Sequence, residues 1–266
     1  MAFIDIEGVA KSFGSGRDRR GVLSDVSLSV ERGEFVSIVG MMGCGKSTLL
    51  KTVAGLIAPD GGRIEIGGSP VRGVQANAAI VFQNYSLLPW FSALENVRLA
   101  VNAAFPDWTG AQQREQAARH LEAVGLGKAL DRRPSQLSGG MRQRVAIARA
   151  FAIEPEILFL DEPFGALDAL TRESLQQELV RLASSAHRLV TTLMITNSVE
   201  EALLLSDRIV PMKRGTPSLG TPVRVDLRRP RTASELMHDD HAAHVRAHIV
   251  TSLTQDLKPG ARQQVA

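Results

Sequence analysis

Cysteine is nearly absent: Cys44 is the only one in 266 residues. This excludes an internal disulfide and any cysteine-rich zinc site, and it fits a reducing cytoplasm. Long hydrophobic runs are missing too, since the apolar stretches 157–160 and 193–195 fall far short of the roughly 20 residues that span a bilayer. The opening MAFIDIEGVAKSF carries acidic residues and no extended apolar segment, so a secretory leader is not expected. A strong excess of one charge is also lacking. The formal net charge is +3, too mild for a nucleic-acid partner, and the arginine-rich stretches 17–20 and 228–231 read as solvated loops. Aromatic residues make up 5%, but 44% hydrophobic and 22% charged residues are the balance of a folded enzyme. There is no internal repeat, and the length fits one large α/β domain with an appendage.

Residues 3–13 and 26–30 alternate apolar with polar, the period of half-buried strands. Residues 35–39 read as a buried strand running into Gly40, and 46–54 as the helix that follows. Further buried strands are expected at 79–82, 157–160 and 190–196, which points to a mostly parallel sheet flanked by helices. A helical insertion of about 84–155 interrupts this pattern, its periodic part running from Ser92 to Ala152. Helices are expected there at 95–104, 111–124 and 141–151. After Met212 the pattern dissolves into Gly, Pro and Arg, and a polar helix near 234–253 closes an extension of 213–266.

The run Gly40, Met41, Met42, Gly43, Cys44, Gly45, Lys46, Ser47, Thr48 fits the P-loop pattern, with a strand before it and a helix after it. Glycines let successive N–H groups turn toward phosphate oxygens, and the helix adds its positive end. Lys46 is placed to reach the β- and γ-phosphates and Ser47 to offer a hydroxyl to Mg²⁺. Cys44 fits as a small side chain in a crowded turn, without a catalytic role. In Ile157-Leu158-Phe159-Leu160-Asp161-Glu162-Pro163, an apolar strand delivers two carboxylates at its carboxyl end, where open parallel sheets bind ligands. Asp161 is expected to orient Mg²⁺ and its waters, and Glu162 to position or deprotonate the water that attacks the γ-phosphate. Two acids after a strand also serve as a plain helix start; the P-loop upstream favours the catalytic reading.

The stretch from Leu137 to Ala150, Leu-Ser-Gly-Gly-Met-Arg-Gln-Arg-Val-Ala-Ile-Ala-Arg-Ala, decides the kind of nucleotidase. Ser138 is a good N-cap, and Gly139 and Gly140 leave backbone N–H groups open at a second phosphate-binding helix end. One chain needs only one such end for its own nucleotide, so the other makes sense against ATP held by another subunit. This stretch closely resembles the signature of ABC ATPases. The resemblance implies an α/β fold with a P-loop NTPase core, an antiparallel β subdomain and an all-helical insertion, over residues 1–212. It implies ATP and Mg²⁺ as ligands, Phe13 stacked on adenine, and Gln83 linking the metal site to a membrane subunit. For Phe13 the alternative is a core strand residue. The apolar loop 85–91 would be the docking surface, and Gly165 to Asp168 the contact between two ATPase subunits.

Most of the family carries histidine where this chain has Asn197, after what reads as the last sheet strand. An amide donates a hydrogen bond to the γ-phosphate but cannot become a cation; the alternative is a surface helix cap. The same resemblance implies a second ATPase subunit, two membrane-spanning permease subunits and, indirectly, a solute-binding protein, on the cytoplasmic face of the cell membrane. Within importers the motifs resemble the nitrate, sulfonate and taurine group and lean toward its nitrate or cyanate branch. A soluble ABC ATPase acting on DNA or ribosomes is the rival reading; it calls for a long coiled-coil insertion or two cassettes, and neither is found. His238, His241, His244 and His248 lie 3, 3 and 4 residues apart, a spacing that fits a solvated helix face or a metal cluster, and the lack of further ligands favours the first.

Overall fold

The computed structural model describes residues 2–165, 167–183 and 189–254. Two compact units divide the chain: Met1–Val53, Ile57–Pro70 and Ile195–Ala266 make the first, Ala54–Leu56 and Val71–Met194 the second.

The first unit opens with β1 (Ile4–Phe13) and β2 (Arg20–Val30), paired antiparallel so that Phe13 faces Arg20. The second strand is longer than its alternating part, because residues 20–25, buried Leu23 among them, continue the ladder. Then come β3 (Phe35–Gly40), α1 (Lys46–Val53), β4 (Gly61–Ile66) and β5 (Ser69–Pro70). One antiparallel sheet has the order β2-β1-β4-β5. All six residues of β3 are buried, as expected of a strand covered on both faces.

The second unit begins with β6 (Ala78–Val81), followed by α2 (Ala93–Ala104), α3 (Gly110–Ala123) and α4 (Gly139–Phe151). Two of these helices start at capping boxes, Ser92 with Glu95 and Thr109 with Gln112, each satisfying backbone N–H groups that the first turn leaves open. The three helices pack on one another. Next are β7 (Ile157–Asp161), α5 (Ala169–Ala183) and β8 (Thr191–Thr196). The strands lie in the order β8-β7-β6, with β6 and β7 parallel.

Strand β8 carries the chain back into the first unit, to α6 (Val199–Leu205) and β9 (Arg208–Met212), which pairs parallel with β3. Beyond Met212, β10 (Val223–Arg224) pairs antiparallel with β9, and α7 (Ala233–His238) and α8 (Asp240–Thr254) follow. The single tail helix expected over 234–253 is two, because Asp239 leaves helical geometry and its Oδ1 accepts the N–H of Ala242 at 2.8 Å. Leu236, Ala242, Val245 and Ile249 join Ala202, Leu203 and Ile209 in one apolar cluster. Buried Arg231 ties this region down through the carbonyls of Leu203, Ser206, Val225 and Leu227, and burial pushes its pKa down to about 10.

Candidate nucleotide-binding and hydrolysis site

Strand β3 delivers the chain into the P-loop at Gly40. A Cβ at Gly40 would lie 2.4 Å from the Met212 carbonyl oxygen, so only glycine fits where β3 passes β9. Gly45 turns the loop into α1 at φ +110°, in the left-handed region, with the Val22 carbonyl 3.0 Å from where a Cβ would sit. Lys46, the first residue of α1, is 4% exposed and folds back over the loop. Its ammonium donates to the carbonyl oxygens of Gly40 at 2.8 Å and Met41 at 3.1 Å, and to Asn197 Oδ1 at 2.6 Å. Cys44 is buried, and burial pushes its thiol pKa up, which fits a packing role rather than a thiolate. Arg214 donates through Nε to the Gly43 carbonyl at 3.1 Å. A groove of about 650 Å³ runs beside the loop, lined by Arg20, Val22, Gly43, Cys44, Arg214 and Thr216. Phe13, opposite Arg20 in the ladder, is 45% exposed and so is no core residue.

In the second unit, β7 is buried along its whole length and ends at Asp161, which is 6% exposed. Glu162 turns away at φ 45°, a left-handed conformation that a residue with a side chain adopts at a cost. Gln83 Nε2 lies 3.4 Å from Glu162 Oε2, at the long end of hydrogen bonding. Ser138 caps α4, its Oγ accepting the Met141 N–H at 3.2 Å. At Gly140 a Cβ would sit 2.4 Å from Thr171 Cγ2, so a side chain there would force Thr171 to shift. Of the Gly165 to Asp168 segment, residue 166 lies outside the described residues; Asp168 Oδ1 accepts the Thr171 N–H at 3.0 Å.

Three polar residues around these sites escaped the sequence reading. Arg149 donates to the carbonyls of Tyr85 at 2.8 Å and Ser86 at 2.6 Å. Asn96 accepts the Leu88 N–H at 2.8 Å and donates to the carbonyls of Leu88, Phe91 and Ser92. Arg214 is the third. A polar residue inside the apolar stripe of its helix was the only available signal for Asn96. Two of the tail histidines bond within their own helices: His238 Nδ1 pairs with the Ser234 carbonyl and His244 Nδ1 with that of Asp240. His241 Nε2 accepts the Asp226 N–H at 3.2 Å.

The parallel strands, the glycine loop closed by Lys46 and the acidic end of β7 define an α/β protein of the P-loop NTPase class. Residues 23–165 match the ABC transporter family. The nitrate import ATP-binding protein NrtD of Synechococcus elongatus is 46% identical over 94% of this chain and 91% of its own length. The bicarbonate transport ATP-binding protein CmpD of Synechocystis sp. is 47% identical over 90% of this chain and 84% of its own. A solved dimeric post-hydrolysis structure of the ATP-binding cassette MJ0796 with ADP and Pi superposes with a TM-score of 0.74 at 30% identity, covering 85% of this chain and 100% of that one. The chain belongs to the ABC transporter family. It binds ATP and hydrolyses it to ADP and phosphate. No helix among the described residues is long and apolar enough to cross a membrane.

Proposed function

We propose that this chain is the ATPase subunit of an importer for a small inorganic anion, nitrate or bicarbonate, and that it works as one of two cassettes beneath two permease subunits fed by a solute-binding protein. One observation carries the reading: the 46% identity to a nitrate import subunit extends over nearly the full length of both chains. A cyanate or sulfonate importer is the nearest variant. The chain itself need not touch the solute, so the anion is read from kinship alone.

In this reading residues 40–48 cradle the ATP phosphates, with Lys46 over the β- and γ-phosphates, and Phe13 stacks on adenine beside the groove at Arg20 and Val22. Ser138, Gly139 and Gly140 meet the γ-phosphate of ATP held by the opposite cassette, and loss of that phosphate lets the two part. Glu162 takes the proton from the attacking water or positions it, and Gln83 holds the Glu162 carboxylate in place. Among the described residues no cluster of three or more His, Cys, Asp or Glu side chains could hold a metal ion alone. Ser47 and Asp161, with Gln83, offer hard oxygen donors, which suits Mg²⁺ because that ion keeps waters and takes phosphate oxygens for much of its shell. Mg²⁺ when bound neutralises charge developing on the phosphates. In this reading the exposed Trp90 and its loop form the permease-docking surface, and the chain works at the cytoplasmic face of the membrane, where ATP is supplied.

The test is reconstitution with a permease pair and a solute-binding protein of the nitrate or bicarbonate importer type. Nitrate or bicarbonate supplied with the binding protein is expected to raise ATP turnover and to accumulate inside vesicles. Stimulation by a sulfonate or cyanate alone would move the assignment to that branch; a complex that fails to form with any permease would sink the transporter reading.

A further inference from the structure

An ammonium group has three N–H donors. Those of Lys46 are met by three protein acceptors: the Gly40 and Met41 carbonyls and Asn197 Oδ1. The carbonyls belong to the loop and cannot leave without reshaping it. Asn197 comes from 151 positions further along the chain, is exposed, and makes the shortest of the three contacts, 2.6 Å. Its backbone is fixed on the carboxyl side. The Ser198 N–H donates to Thr196 Oγ1 at 3.0 Å, that hydroxyl donates to Glu201 Oε2 at 2.6 Å, and the Glu201 N–H returns to Ser198 Oγ at 3.2 Å. The backbone at 197 is thereby held, while the residue itself is exposed.

Only an oxygen satisfies an ammonium, so the amide must present Oδ1 to Lys46 and turn Nδ2 away. A phosphate oxygen that takes an N–H from Lys46 competes with these acceptors, and of the three the exposed side chain yields at the lowest cost. We propose that Asn197 is a positioning residue for Lys46, setting phosphate affinity by competing through Oδ1 for the same ammonium. The proposal rests on the reading of Lys46 as the phosphate-contacting lysine. It differs from the family expectation for this position, in which the side chain donates to the γ-phosphate directly.

The test measures dissociation constants for ATP, ADP and AMP on the full chain and on variants. Asn197→Asp replaces a neutral acceptor by a charged one of the same shape, and is expected to weaken ATP and ADP about tenfold or more, the value of a charge-assisted hydrogen bond. AMP has no phosphate at the Lys46 position and should change little. Asn197→Ala removes the competitor and is expected to tighten ATP and ADP a few-fold. Both effects should nearly vanish in a Lys46→Ala background, as a double-mutant cycle requires of residues that act through each other. If Asn197→Ala weakens ATP tenfold, the amide is a phosphate ligand and the proposal falls. It also falls if Asn197→Asp acts in full without Lys46, since that is direct repulsion of phosphate. Should Lys46→Ala alone leave ATP affinity intact, the P-loop reading itself is at fault, an outcome separate from the other two.

Discussion

Gln83 holds its amide Nε2 3.4 Å from Oε2 of Glu162, so the glutamine of one loop touches the acid at the end of β7. Gly165 packs beside both groups: a Cβ there would lie 3.8 Å from Gln83 Nε2 and 4.0 Å from Glu162 Oε2. The carboxylate is therefore framed by a donor and by backbone, and the left-handed turn at Glu162 aims it. Glu162→Gln keeps this frame and removes the base. Hydrolysis should slow by at least about a hundredfold, the usual scale for a lost general base, while ATP binding persists. Gel filtration with ATP should then show a stable dimer. A variant that hydrolyses ATP at the normal rate would remove Glu162 from the chemistry.

Asp60 anchors the strand that carries Phe13. Its Oδ1 accepts from Lys11 Nζ at 2.7 Å, and its Oδ2 accepts from the Ser12 N–H at 2.8 Å and Ser12 Oγ at 2.9 Å. The Lys11 ammonium first, then Ser12, holds its carboxyl well below the usual carboxylate range. A carboxyl whose folded pKa is depressed stabilises the fold above its unfolded value near ~4, and that stability is lost as pH falls below it. Asp60→Asn should flatten the acid limb of the pH–stability curve, measured by urea midpoints between pH 7 and pH 3. Because the pair lies at the surface, added salt should shrink the difference. An unchanged acid limb would show that Asp60 is not a pH-sensitive anchor.

What the sequence makes legible here is contiguous. Residues 40–48 and 157–162 declare themselves because each motif is a strand, a turn and a few polar residues in one stretch, and α4 because Ser138 and two glycines precede a periodic run. Pairings between distant stretches leave no such trace. Lys46 and Asn197 stand 151 positions apart, and nothing local to either names the other. Arg149 reads as one more polar residue on a helix until the carbonyls it serves, 63 and 64 residues earlier, are seen. Asp239 looks like a helix residue, and only its cap to Ala242 reveals the break between α7 and α8.

Among the residues of the apolar loop, position decides which should respond to a change. Tyr85 is half-buried with the Arg142 guanidinium 5.7 Å from its ring, and Leu88 is tied to Asn96. Trp90 is 62% exposed, its ring edge-to-face with Phe91 at 6.3 Å. Trp90→Glu should therefore leave folding and nucleotide affinity intact and lower transport per ATP hydrolysed in the reconstituted complex, by removing an apolar anchor of the docking surface. Charged substitutions at Tyr85 or Leu88 should cost stability first. A Trp90→Glu chain that loses ATP affinity would show that this residue belongs to the nucleotide site.

Arg149 gives the last prediction, because it joins the docking loop to α4. Its guanidinium forks onto the carbonyls of Tyr85 and Ser86, which lie at φ 64° and 47°. Two consecutive side-chain-bearing residues in the left-handed region are costly and persist only where the surroundings hold them. Burial pushes the Arg149 pKa down from its usual value, so the charge is partly desolvated and depends on these two acceptors. Arg149→Met keeps much of the aliphatic packing but leaves both carbonyls without their donor, and should destabilise the fold by about 2–4 kcal/mol. Arg149→Lys offers a point charge in place of a planar fork and should recover only part of that loss. Since α4 also carries Ser138, Gly139 and Gly140, a loosened loop should reduce ATP-driven dimerisation as well as transport, with ATP affinity of the monomer preserved. Denaturant midpoints combined with gel filtration in ATP check both halves. A methionine variant within about 0.5 kcal/mol of the parent, the range of an ordinary surface substitution, would mean that the loop holds its shape without Arg149.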